Sequence, residues 1–191
     1  MRWHVFAMFA VIAMIFETGL ADAVHILHVR PSVCAALATF IALSAPRITA
    51  LWSCFILGLL MDLSTDLSLG QSGTIHIIGP HALGYVVGGL LVLQIRSTVF
   101  RRRPLAIGAM TTAFVLAMSV VAVMIYVVRS WYPGGLIYWD GTSPLADIMR
   151  RLFIAIYSGL FAVPLGWVLV RLMPLWQFQS TTIRGGGVAW R

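Results

Sequence analysis

The sequence predicts an all-α integral membrane protein, built as a compact bundle of six transmembrane helices. Three observations predict it. Of the 191 residues, 60% are hydrophobic and only 10% charged, with a mean hydropathy of +0.94, more apolar surface than a soluble domain of this size can bury. The apolar residues fall into six runs, and since about 20 residues cross about 30 Å of hydrocarbon, the runs and their connections leave no room for a soluble domain. The runs do not alternate with a period of two, which excludes an outer-membrane barrel and leaves helices to satisfy the backbone in lipid.

Residues 3–21 form the first run, preceded by Arg2 and followed by Ala21-Asp22-Ala23, a layout that mimics a cleavable signal. Glu17 interrupts the run in a way a signal sequence rarely tolerates, so the segment is expected to stay as helix one. Pro31 opens the second run, 31–45, and Pro46-Arg47 separates it from the third, 48–63. These two runs are short; they read as a hairpin of two helices or as one long broken helix. The hairpin is favoured, because a Pro-Arg pair at the bilayer centre would combine a break with a charge penalty.

Helix four is expected over 73–95, with Gly79-Pro80 as a kink in its first half. Residues 96–103 then carry four arginines in eight positions, which assigns that loop to the cytoplasm. Helix five follows over 104–128. The connection 129–143, with Trp131, Tyr132, Tyr138 and Trp139, reads as an interfacial aromatic belt. Ser143 and Pro144 look like the cap and first position of helix six, 145–173, with Asp147 in its first turn and a break or bend near Pro164. Residues 1–173 thus make a single six-helix domain, and 174–191 a flexible cytoplasmic tail.

All thirteen basic residues are arginine, against six acids, for a formal net charge of +7. In a soluble chain that excess would point to nucleic acid; here it follows the positive-inside rule, and no nucleic-acid partner is expected. Six crossings put nine arginines on one side (2, 47, 96, 101, 102, 103, 171, 184 and 191) and leave Arg30, Arg129, Arg150 and Arg151 on the other with five aspartates. Both termini are therefore expected in the cytoplasm. Arg101, Arg102 and Arg103 would meet anionic lipid or a cytoplasmic partner. Cys34 and Cys54 lie inside apolar runs and read as small buried hydrophobes.

The most informative stretch joins an apolar helix end to two carboxylates, Asp62 and Asp66, and small polar residues up to Gly70 and Gly73. Cys54, Gly58 and Asp62 recur every four residues and share one helix face. Asp62 sits at a helix C-terminus, where the dipole disfavours it, so something must compensate its charge. Candidates are backbone N–H groups of the turn 63–68, an arginine such as Arg30, or protonation. Three roles stay open: a structural tie, proton or ligand handling, and contact with a partner protein.

On helix four, His81, Gly84 and Gly88 fall at i, i+3 and i+7 and are expected on one packing face, with the Tyr85 hydroxyl nearby. Glu17 is expected to pair or snorkel at the interface. Ala38 with Ala42, and Ala113 with Ala117, are further small-residue pairs. A metal site would require His76 and His81 to converge with Asp62 or Glu17; no ligand spacing supports it, and no metal or other cofactor is expected. There is no nucleophile elbow, phosphate-binding loop or paired intramembrane aspartate motif, so no enzymatic chemistry is expected either.

Gly58-Leu59-Leu60-Met61-Asp62-Leu63, followed by Leu69-Gly70, resembles the central signature of the MreD family of bacterial rod-shape-determining membrane proteins. The six runs, the short second and third helices and the basic loop before helix five are similar too, over most of residues 3–173. The resemblance implies a non-enzymatic scaffold, in the bacterial inner membrane, of the cell-elongation machinery that makes peptidoglycan. Its partners would be a bitopic MreC-like protein and, with it, the actin-like MreB and the peptidoglycan polymerase and transpeptidase. Gly58, Asp62, Asp66, Gly70, His81, Gly84 and Gly88 would then serve the family motif, helix packing or partner contact, with the hairpin bearing Asp62 and Gly84 helping to form the partner surface. The family fold also looks like the substrate-binding subunits of energy-coupling factor vitamin transporters. That likeness supplies an alternative, a small-molecule-binding membrane subunit whose outward pocket is lined by Glu17, Asp62, His81 and Tyr85.

Overall fold

One short helix, Val33–Ser44, has eleven of its twelve residues buried, and the other helices pack around it. In the computed structural model, the described residues are 2–20, 30–64, 67–68, 74–75, 79–97, 104–131 and 144–176. Helix α1 (Trp3–Ile15) continues as a π-helical turn, Phe16–Leu20; α2 is Val33–Ser44 and α3 is Arg47–Ser64. Two two-residue strands follow, β1 (Leu67–Ser68) and β2 (Thr74–Ile75), antiparallel with Leu67 opposite Ile75. Then come α4 (Pro80–Ile95), α5 (Pro104–Ser130), α6 (Pro144–Arg171) and the single turn α7 (Met173–Trp176). Ala45 and Pro46 separate α2 from α3, giving two helices rather than one broken one. Helix α6 runs through Pro164 without interruption.

The protein is a helical membrane protein by composition and length: Arg47–Ser64, Pro104–Ile125 and Asp147–Arg171 are each long and apolar enough to cross a bilayer. Its surface agrees. Trp52, Phe55, Leu83, Leu105, Phe153 and Leu160 all face outward, while small residues such as Ala50, Ser53, Cys54 and Gly58 face the interior of the same bundle. Buried hydroxyls donate to carbonyls one turn back, Thr39 to Ala35 at 2.8 Å and Thr111 to Ile107 at 2.8 Å, so they add no unpaired donor to the core.

Helix α2 packs against α1, α3, α4, α5 and α6. Its Ala-rich sequence permits this, because Ala35, Ala38 and Ala42 let five neighbours approach one backbone. At twelve residues it is about 18 Å long, well short of the hydrocarbon thickness. Its terminal backbone groups therefore cannot rely on water and take partners from other helices. At the C-terminal end, Arg96 at the end of α4 donates from one guanidinium nitrogen to the carbonyls of Ala45 at 2.8 Å and Ala42 at 3.4 Å. An arginine that marks topology in the sequence is thus also the C-cap of the central helix, where a cation suits the dipole.

Two expectations are corrected. Helix four starts at Pro80 rather than residue 73; Thr74 and Ile75 are in β2, and Gly79-Pro80 is the helix start instead of an internal kink. Gly79 takes φ +130°, a conformation open to glycine and strained for other residues, and Pro80 occupies the first turn, where its missing N–H goes unused. The second concerns the tail from residue 174. Its first residues form α7, and Trp176 is completely buried, packed at a tilt on Phe9 (4.8 Å between ring centroids) and edge-on to Phe40 (5.7 Å). The Arg2 amide donates to the Trp176 carbonyl at 3.4 Å, tying the start of α1 to the end of the described chain.

The Arg96 cap is directly testable. Arg96→Leu should lower the thermal unfolding temperature of the detergent-solubilised protein, with a loss of about 1.5–3 kcal/mol for hydrogen bonds to a charged group. Substitution of Arg47, exposed at the start of α3, should leave it near the wild-type value.

Candidate functional site

Asp62 is 1% exposed and four hydrogen bonds converge on its carboxylate. Oδ2 accepts from the backbone N–H of Gly79 at 2.8 Å and of Ala82 at 3.0 Å. Oδ1 accepts from the backbone N–H of His81 at 2.9 Å and lies 2.9 Å from His81 Nδ1. An ionised carboxylate offers about four acceptor positions, so this one is filled.

The compensation that Asp62 requires thus comes from the first turn of α4, whose free N–H groups and positive dipole end face the carboxylate. The sequence offers the turn 63–68, an arginine such as Arg30, or protonation; the described donors lie 17 to 20 residues downstream. The remainder of the stripe makes that approach possible. A Cβ on Gly58 would lie 2.6 Å from Ala82 Cα and 2.7 Å from the His81 carbonyl oxygen, so the two backbones touch there with no room for a side chain. One turn earlier, Cys54 packs against Gly89. Cys54, Gly58 and Asp62 together form a fastener between α3 and α4.

A second carboxylate does the same work for the preceding hairpin. Glu17, in the π-helical end of α1, accepts from the Cys34 backbone N–H at 2.9 Å. Ser32 accepts from the Ala35 N–H at 3.3 Å, and the Ser32 N–H itself donates to Ser158 Oγ of α6 at 2.9 Å. Glu17 is therefore a helix cap for α2 rather than an interfacial snorkel. The Glu17–Cys34 and Asp62–Gly79 bonds span the same sequence separation, 17 residues, each joining a helix end to the start of the next helix. Neither acid could be read as a cap from local sequence, since capping signals act over three residues and these act across a whole connection.

Gly84 and Gly88 are buried, but against a different neighbour from His81. A Cβ on Gly84 would meet Met118 and one on Gly88 would meet Phe114, both of α5, whereas His81 turns to α3. Positions i, i+3 and i+7 lie on one side of a helix, but that side of α4 meets both α3 and α5, so the expected single His81-Gly84-Gly88 packing surface is divided between two neighbours. Between α5 and α6, Gly108 and Gly159 bring the two backbones together, since a Cβ on either would meet the carbonyl oxygen of the other within 3 Å; the sequence signals Ala113 and Ala117 instead. Asp66, Gly70, His76, Arg101, Arg102 and Arg103 lie outside the described residues.

Of the four polar groups expected to line a ligand pocket, Asp62 and His81 are bonded to each other and Glu17 caps α2. The fourth, Tyr85, is wholly buried, its ring edge-on to Phe114 at 5.2 Å. None of them borders the cavity of about 190 Å³ between α1, α2 and α6, whose lining is entirely apolar. No protein-family model, curated protein or solved structure matches this chain.

The fastener makes an ordered set of expectations. Asp62→Asn keeps one acceptor oxygen and Asp62→Ala keeps none, leaving buried N–H groups unpaired at about 1–3 kcal/mol each. Folded yield and unfolding temperature should fall in the order wild type, Asn, Ala. Gly58→Val should match or exceed the loss in Asp62→Ala through backbone overlap, whereas Gly19→Ala, with open space around it, should be neutral.

Proposed function

We propose that this chain is a non-enzymatic scaffold subunit of the bacterial cell-elongation machinery, a member of the MreD family that binds an MreC-like bitopic protein in the inner membrane. In this reading the chain crosses the bilayer six times, in an arrangement similar to the substrate-binding subunits of energy-coupling factor transporters, and both termini are cytoplasmic. The observation that carries it is that Gly58 and Asp62, the two residues at the core of the family-like signature, act as one unit by fastening α3 to α4. A signature built around that fastener marks an architecture rather than a reaction centre. Charge supports the orientation. Arg2, Arg47, Arg96 and Arg171 stand at the helix ends on one side of the bundle, while on the other Arg151 is paired with Asp147 at 2.7 Å.

Because Asp62 and Gly84 are buried within the bundle, the partner surface of the α3–α4 hairpin is its outward face. Trp52, Phe55, Leu83 and Val87 are exposed there, and Trp52 and Phe55 meet edge to face at 6.1 Å. Aromatic pairs of this kind are typical anchors of a protein contact. Purification of the tagged chain from membranes that also contain the MreC-like protein of the same genome should retain that partner. The double variant Trp52→Ala, Phe55→Ala, at equal abundance, should retain about tenfold less, the loss expected for anchor residues. Depletion of the chain should convert rod-shaped cells to round ones. No partner retained by the wild type, together with unchanged cell shape on depletion, would refute the reading; a small molecule retained in its place would favour a transporter subunit.

A further inference from the structure

Between α1 and α6 the bundle is open along a slot whose floor is the central helix. Val33 and Leu37 of α2 form the floor, Phe9 of α1 and Phe161 and Leu165 of α6 form the walls, and the slot holds about 190 Å³. The floor is buried, with Leu37 only 2% exposed, whereas the lip residues Phe16 and Val168 are 43% and 44% exposed, so the slot opens sideways to the lipid phase. No polar side chain lines it. Water placed there would lack its two to four hydrogen-bond partners, and a polar metabolite would meet the same difficulty. A partner helix about 10 Å in diameter is too wide to enter such a space. A flexible string of methylene groups fits both its chemistry and its shape.

Charge identifies which chain it is. The lip residue Val168 has Arg171 three positions further on along the adjoining face of α6, at the helix end, with its guanidinium 3.8 Å above the ring of the exposed Trp167. The start of α1 is held at this same end by the bond from the Arg2 amide to the Trp176 carbonyl, and Arg2 is exposed. Two cations therefore stand at the helix ends on this end of the apolar slot, one of them beside an aromatic ring of the kind found at membrane interfaces. We propose that the slot holds one acyl chain of an anionic phospholipid, with the lipid phosphate held at the Arg2 and Arg171 end. This site is separate from the α3–α4 face and does not depend on the scaffold reading.

The test uses the full chain reconstituted in vesicles containing either phosphatidylglycerol or phosphatidylcholine with the same photoreactive diazirine in one acyl chain, followed by irradiation and mapping of the labelled residues. Labelling is expected to concentrate at Phe16, Phe161 and Leu165, with phosphatidylglycerol exceeding phosphatidylcholine by about fivefold for each arginine engaged. Arg171→Gln, a change at an exposed residue, should remove about fivefold of the phosphatidylglycerol labelling. Leu165→Trp should fill the slot and abolish labelling there while leaving Leu105, 74% exposed to bulk lipid, labelled as before. If Leu165→Trp lowers folded yield, the Arg171→Gln comparison decides alone. Equal labelling by the two lipids, an unlabelled slot beside a labelled Leu105, or a slot cross-linked to a polypeptide segment would each overturn the proposal.

Discussion

The fold depends on satisfying the ends of helices too short to reach water. A helix leaves four N–H and four carbonyl groups unpaired at its ends, and in hydrocarbon each unpaired group costs several kcal/mol. Helix α2, about 18 Å long, and α4, about 24 Å long, fall short of a bilayer core of about 30 Å. Their neighbours supply what the solvent does not. Asp62 serves the start of α4, Glu17 and Ser158 serve the start of α2, and Arg96 serves its end. In each case the sign of the charge matches the helix dipole it meets, acid at an N-terminus and base at a C-terminus.

This accounts for where the charges are. A carboxylate at the last turn of α3 is unfavourable for α3 alone. It becomes favourable once the first turn of α4 is brought against it, and the absence of a side chain at Gly58 is what lets that turn come so close. The cap and the close contact are therefore interdependent: a side chain at Gly58 would lift α4 away from Asp62, and loss of Asp62 would leave the N–H groups of α4 exposed to an apolar interior. Such coupling makes the α3–α4 hairpin a rigid element on which an outward aromatic face can be presented.

Much of this was legible in the sequence. The apolar runs locate the principal helices, and helices α5 and α6 begin within a residue of their expected starts because Pro104 and Pro144 are unambiguous first positions. The stripe of Cys54, Gly58 and Asp62 and its need for a compensating partner follow from helical periodicity alone. The partner itself did not, since hydropathy extends smoothly through Ile75 and Ile78 and hides the start of α4, and because Gly79-Pro80 has the same residues whether it kinks a helix or begins one. In the sequence Arg96 is a topological charge, which says nothing about the carbonyls within its reach. Trp176 lay beyond the last apolar run, in a segment whose composition resembles a tail, yet it closes the gap between Phe9 and Phe40.

The central claim is that the Asp62 carboxylate holds the first turn of α4. Site-resolved hydrogen exchange in detergent or lipid, comparing wild type with Asp62→Asn, measures it at the amides concerned. The amides of Gly79, His81 and Ala82 should be protected in the wild type and exchange faster in the variant, while the Cys34 amide, held by Glu17, keeps its protection. Rapid exchange of those three amides in the wild type, or identical protection in both proteins, would contradict it.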